Sequence, residues 1–336
     1  MQPGKLSQQL LASLLTTVRS SDPSVVLGPG VGRDAAVIDT GGPKLLVAKA
    51  DPITFAADRI GWYAVHVNAN DIACLGARPR WFMATIFLPE GASSALVKSI
   101  FRQITQACSS LGVALVGGHT EVTVGLDRPI VAGAMLGEVE RGRLVRPDGA
   151  RAGDSLILAG GIAVEGTSVL AREAGEALRS AGVSARTVAA ARKYLIDPGI
   201  SVVAAAETIG QAVRVHAMHD PTEGGLATAL YEMAEASKLG IVVQADQIDV
   251  LPATRKICAA LDLDPLGLLA SGSLLIATEA ADEAAAMLAL SDVGVSTHCI
   301  GKFVQRRGVI MISNNQRRPV PRFERDEVAR FLSTQG

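Results

Sequence analysis

Leu6, Leu10, Leu11, Leu14, Leu15 and Val18 fall at helical spacing with polar residues between them, which predicts an amphipathic helix packing on the body of the protein. Two short apolar runs, at 35–38 and 45–48, flank Gly41-Gly42-Pro43 and predict a hairpin. Residues 60–75 follow a helical pattern that stops at Gly76. An apolar strand is predicted over 81–88, a helix over 92–111 ending before Gly112, and strands over 113–116 and 130–136. Past the Arg-rich stretch Arg141 to Arg151, a second unit opens with a strand at 155–159 and Gly160-Gly161. Alanine-rich helices follow, with late strands at 274–278 and 308–312. This mixture of hairpins and helices predicts α+β layers, divided into domains 1–150 and 151–336, and not a strictly alternating parallel sheet.

Composition narrows the class. A chain of 336 residues is too long for one compact core, so two domains are the default. With 49% hydrophobic and 19% charged residues, broad disorder is excluded. A net charge of -1 offers no phosphate-backbone footprint, and 4% aromatics leave few stacking platforms, so no nucleic-acid partner is expected. Cys74, Cys108, Cys258 and Cys299 form no C-x-x-C pair and have no zinc-ligand spacing, so they read as buried hydrophobes in a reducing compartment. No signal-peptide pattern is seen at the start, and the longest apolar runs fall short of a membrane span. The expectation is a cytoplasmic protein with no membrane segment.

Four segments carry candidate chemistry. His219-Asp220-Pro221-Thr222-Glu223-Gly224-Gly225 sets a carboxylate, a rigid turn and two glycines where a helix begins, a place suited to phosphate and its magnesium, although a plain helix cap would look the same. Gly28, Gly30 and Gly32 lead into Asp34; no helix follows and no Gly-Lys-Ser/Thr is present, so this is neither a dinucleotide fingerprint nor a P-loop. It reads either as a turn between helix and hairpin or as a lid whose backbone approaches phosphates. Asn68 and Asp71 stand three apart inside an apolar helix pattern, where short polar side chains are poor choices unless a cation or an internal polar network satisfies them. Gly117-Gly118-His119-Thr120-Glu121 places an imidazole and a carboxylate just past a strand, and Asp51 lies at the end of the second hairpin strand. Carboxylates from separate strand and helix ends suit magnesium shared with substrate phosphates, and no G-x-S-x-G or catalytic cysteine signature competes. These residue types can perform phosphoryl chemistry governed by positioning and charge neutralisation.

Taken together the chain resembles the superfamily of aminoimidazole-ribonucleotide synthetase, thiamine-monophosphate kinase, selenophosphate synthetase and the hydrogenase maturation protein HypE. The resemblance covers most of the chain and rests on four ordered segments: Gly32-Arg33-Asp34-Ala35-Ala36-Val37; Val67-Asn68-Ala69-Asn70-Asp71-Ile72-Ala73 with Gly76-Ala77-Arg78-Pro79; Gly117-Gly118-His119-Thr120; and Asp220-Pro221-Thr222-Glu223-Gly224-Gly225-Leu226-Ala227. The last, with Leu261-Asp262-Leu263-Asp264-Pro265-Leu266, is most similar to HypE. The resemblance implies a two-domain PurM-like α/β fold in which the N-terminal mixed sheets of two subunits pair into a barrel beside ATP. It implies magnesium on Asp34, Asp51, Asp71 and Asp220, and nucleotide contacts from Gly30, Gly32, Asp34, Asn68, Asp71, Gly118, Thr120 and Gly224. His119 and Glu121 would stand at the reacting end.

Three departures from the family pattern bear on activity. Arg33 replaces the first aspartate of the usual Gly-Asp-Asp-Ala-Ala, and His119 replaces the aspartate of Gly-Gly-Asp-Thr; both lower the negative charge around the metals. HypE proteins end in a tail whose cysteine carries the cyanide precursor, and no cysteine follows Cys299 here, which predicts a departure from usual HypE chemistry. The leading expectation is a homodimeric, ATP- and Mg2+-dependent enzyme that activates an unidentified small-molecule or protein-borne acceptor with the γ-phosphate. A kinase of the thiamine-monophosphate type is the alternative, and a non-catalytic nucleotide-binding or assembly protein is a third, favoured by Arg33 contacting phosphate in place of a metal.

Overall fold

The computed structural model describes Leu6 and residues 8–18, 22–54 and 56–334. The chain divides into two compact units. An N-terminal unit comprises residues 20–29 and 34–144, and a C-terminal unit takes the first helix, residues 30–33 and everything from Val145. That helix, α1 (Gln8–Leu15), forms where the leucine spacing predicts it. Leu10 and Leu14 remain exposed, and only the side carrying Leu11 and Leu15 is partly covered.

In the N-terminal unit, β1 (Val25–Leu27), β2 (Ala36–Ile38), β3 (Lys44–Ile53), β4 (Arg78–Leu88), β5 (Ala114–Val122) and β6 (Ile130–Glu140) form one sheet in the order β1-β2-β3-β6-β4-β5. Its pairs are antiparallel except β4 with β5. The helix α2 (Ile60–Cys74) lies across β3, β6 and β4, and α3 (Ser94–Leu111) packs on its other side. Sandwiched this way, every residue of α2 but Trp62 is buried, which explains why its sequence is apolar all round. One face of the sheet is covered by α2, so Val131, Met135 and Val139 of β6 are buried while Ala132, Ala134 and Leu136 on the other face are half-buried. At the far edge β5 is exposed along its whole length.

The C-terminal unit is built on β7 (Ser155–Ala159), β8 (Val215–His219), β9 (Gly240–Gln244), β10 (Leu274–Thr278), β11 (Thr297–Val304), β12 (Gly308–Ser313) and β13 (Gln316–Pro319), ordered β13-β12-β9-β11-β7-β10-β8. Only β9 and β12 pair in parallel. Its helices are α4 (Val164–Glu173), α5 (Gly175–Ser180), α6 (Ala185–Lys193), α7 (Val203–Ala212), α8 (Gly225–Ser237), α9 (Pro252–Leu261), α10 (Glu283–Asp292) and α11 (Glu327–Leu332). The central strands β7 and β10 are buried at every residue, as strands covered on both faces must be, and their sequences are continuous apolar runs without alternation. Among the described residues no helix is long and apolar enough to cross a membrane.

Candidate functional site

In the N-terminal unit the site grows out of the inward row of β3. Side chains of a strand alternate, so Leu45, Val47, Lys49 and Asp51 share the face beneath α2. The first two are buried apolar residues; the next two continue the row with charge. Lys49 Nζ forms ion pairs with Asp71 Oδ2 of α2 at 2.9 Å and with Asp51 Oδ2 at 3.3 Å. Asp71 is nearly closed to solvent, with 4% of its side chain exposed, against 40% for Asp51. Burial alone would draw the Lys49 ammonium down, but Asp71, Asp51 and Asp34 outweigh it and hold its pKa above the usual lysine range. The structure thus brings Asp34, Asp51 and Asp71 into one electrostatic group, with a lysine at its centre that the motifs did not flag.

Asn68 fixes this group in place. Its Oδ1 accepts from the Asp51 amide at 2.9 Å, and its Nδ2 donates to the Asp51 carbonyl at 3.2 Å and to Ala64 at 2.8 Å. Gly133, opposite Asp51 in the β3–β6 register, makes room: a Cβ there would lie 2.5 Å from Asn68 Nδ2 and 2.7 Å from the Phe82 ring. The Asn68 side chain is therefore engaged with the Asp51 backbone.

The Gly117–Glu121 motif lies inside β5, not beyond a strand end. His119 Nε2 and Glu121 Oε2 are 3.1 Å apart on this exposed edge strand, with His119 opposite Thr85 and Thr120 opposite Ile86. Gly118 is required by close approach, since a Cβ would meet the Ala84 carbonyl at 2.0 Å.

The remaining predicted residues belong to the C-terminal unit. The glycine loop turns through an Arg33 N–H to Gly30 carbonyl bond of 3.2 Å, and Gly32 (φ 70°) sits against the Glu232 carbonyl of α8. After β8 comes the buried Asp220, then Gly224 (φ 83°) and Gly225 (φ 65°), two left-handed residues that start α8. The Gly224 amide, one of the donors a helix start leaves open, is taken by Asp326 Oδ2 at 2.8 Å, while Oδ1 of the same carboxylate accepts from Val328 at 2.7 Å. A phosphate at Gly224 would replace that carboxylate. His219 Nε2 and Glu232 Oε2 are 2.9 Å apart.

Two buried carboxyls here, Glu165 and Asp326, lie outside the four sequence motifs. Burial pushes Glu165, in the first turn of α4, up to about 7; Ser271 opposes the shift and Asp326 and Asp220 add to it. Burial likewise pushes Asp326 up to about 7 against its two amide hydrogen bonds. A carboxylate in an apolar stretch was the signal at Glu165; nothing local marks Asp326, which reaches the site from about a hundred residues beyond Gly224.

Asp34, Asp51 and Asp71 are hard oxygen donors of the kind magnesium takes, and with Lys49 they carry a formal charge of -2, matching one divalent ion.

Residues 32–139 match the AIR synthase related protein N-terminal domain, and residues 151–313 match its C-terminal domain. A Methanocaldococcus jannaschii protein named for hydrogenase expression/formation is 29% identical over 92% of this chain and 91% of its own. The carbamoyl dehydratase HypE of Cupriavidus necator is 30% identical over 92% of this chain and 84% of its own. A crystal structure of the hydrogenase maturation protein HypE in complex with ATP is similar at a TM-score of 0.68 and 26% identity, covering 98% of both chains. The two-domain fold implied by the four sequence motifs is therefore the fold observed. With both family domains matched in order across most of its length, this chain belongs to the AIR synthase related protein family.

Proposed function

We propose that the protein is a HypE-like enzyme that uses ATP and magnesium to activate an amide-type oxygen, such as a carbamoyl group, on a small or protein-borne acceptor. The observation that carries this reading is the charged row beneath α2, where Asp51 and Asp71 flank one ammonium, with Asp34 adding to the same field, in an otherwise apolar layer. Two similar proteins support it: a carbamoyl dehydratase at 30% identity and a HypE structure with bound ATP. Magnesium held by these carboxylates would neutralise the terminal phosphates, and the aspartates set its position. In the C-terminal unit, Asp220, Gly30, Gly32 and Gly224 are the proposed phosphate and metal contacts. His119 and Glu121 are the proposed residues at the reacting end, with Gly118 and Thr120 as proposed nucleotide contacts.

The active form in this reading is a homodimer. All nine residues of β5 are exposed, among them Leu115, Val116 and Val122, and the sheet face bearing Ala132, Ala134 and Leu136 is only half-buried. A second copy would close that edge.

Calorimetric titration with ATP and magnesium tests the proposal. Wild-type protein should bind the nucleotide, and Asp71→Asn should weaken binding by at least about tenfold, or 1.4 kcal/mol. Absence of nucleotide binding by wild type would defeat it. With carbamoylated acceptor supplied, free phosphate is the expected product; a stable phosphorylated acceptor would instead mean a kinase.

A further inference from the structure

We propose that Lys49 is a fixed cation of this site, standing where three aspartates would otherwise gather a further metal ion. Its role toward a nucleotide rests on the reading above; its role among the carboxylates does not.

The placement follows from strand geometry. Lys49 and Asp51 are two apart on β3 and so lie side by side beneath α2, which brings Asp71 down onto them. The Lys49 side chain is only 16% exposed, and its ammonium spans 2.9 Å to Asp71 and 3.3 Å to Asp51. An ammonium offers three donors and no acceptor, so a single lysine can serve a ring of carboxylates. Asp34 adds to the same field. Without Lys49 the Asp51 and Asp71 carboxylates would lie in one partly buried layer with Asp34 adding to their field, and a bound cation or a retained proton would have to offset their like charge.

A tethered ammonium differs from an ion in one respect: it cannot dissociate. The aspartates are therefore held together before any metal arrives, and the chain needs only the divalent ion that travels with a nucleotide. When phosphates enter, the same Nζ is a compact point charge able to pair with them.

The test uses the full-length chain and the variants Lys49→Met and Lys49→Arg. Mn2+ binding is followed by electron paramagnetic resonance without nucleotide, and thermal unfolding with and without Mg2+. Wild type and Lys49→Arg should unfold at temperatures that Mg2+ barely changes. Lys49→Met should unfold at a lower temperature, recover it in Mg2+, and bind about one further Mn2+ per chain. A Met variant with the wild-type Mn2+ count and an unfolding temperature indifferent to Mg2+ overturns the proposal. Should Lys49→Met not fold, the double variant Lys49→Met/Asp71→Asn removes both charges and should fold without divalent ions at the wild-type Mn2+ count; an extra ion bound there would also overturn it. ATP titrations of the same proteins separate the two readings: wild type that ignores ATP counts against the nucleotide function, while the Mn2+ count still decides Lys49.

Discussion

The N-terminal unit buries Asp71 against the Lys49 ammonium, whereas the C-terminal unit buries Glu165 and Asp326 among further carboxylates. In the first case an ammonium 2.9 Å away offsets the carboxylate's charge. In the second, burial lifts both acids to about 7, so near neutrality they carry protons for part of the time. The contrast separates two ways of placing acids in a low-dielectric layer. A counter-charge offsets one buried carboxylate, whereas at Asp326, between α8 and α11, burial favours the proton against two backbone amides that favour the charge.

The sharpest way to break this contrast is to remove the counter-charge. Lys49→Ala should lose about 3–5 kcal/mol in denaturant unfolding at low divalent ion, because it removes the ammonium paired with a buried carboxylate. A loss no larger than that of a surface lysine would end the distinction. Next comes pH, which should act on the two units in opposite senses. His66 in α2 is drawn down to about 4 by burial, and both ring nitrogens lack a hydrogen-bond partner among the described residues. The folded form binds fewer protons than the unfolded one, so this stability is present above pH 6.5 and is lost as pH falls through 4, by roughly 3 kcal/mol. Glu165 is shifted upward from 4.5 to about 7. Its contribution is present below pH 4.5 and is lost as pH rises through 7. Hydrogen exchange at pH 5 and 7.5, corrected for intrinsic rates, should show α2 loosening at the acid end and α4 at the other; parallel changes would refute the assignment.

Smaller effects sharpen the picture. Gly133→Ala should cost about 1–3 kcal/mol by overpacking against Asn68 and Phe82, and a crystal structure should show Asn68 displaced from Asp51. Glu165→Gln should change stability at pH 6 by less than about 1 kcal/mol, since an amide of the same shape replaces a largely protonated carboxyl; a larger loss in thermal unfolding would mean the acid is ionised there.

Much of the frame was readable from periodicity. β4, α2, α3, β7 and β10 fall where the apolar patterns predict them, because each is long or continuously apolar. The apolar patterns mark none of β1, β8, β9, β11 and β13. β9 is five residues long, and β11 is broken by Gly301 with a register shift beside it, so neither presents a clean period. The apolar pattern predicts that β5 ends before Gly117, yet parallel pairing with β4 carries it on to Val122; Gly-Gly looks like a break when the partner strand is far away in sequence. Asp71 is visible in the sequence as a polar residue in an apolar helix pattern, Asp34 as the end of a glycine loop and Asp51 as the end of a hairpin strand. Lys49 is not, since a lysine near a strand end usually points to solvent, and only the alternation from Leu45 onward shows that it points inward.

Asn68 has one more consequence. It clips helix to strand, and Asp71 sits three residues further along the same helix. A shift of α2 by a single residue would turn it by about 100° and advance it about 1.5 Å, which is enough to carry Asp71 out of reach of Lys49. The amide clasp therefore works as an index mark, and damage to it would be felt first as misalignment, in a protein still folded.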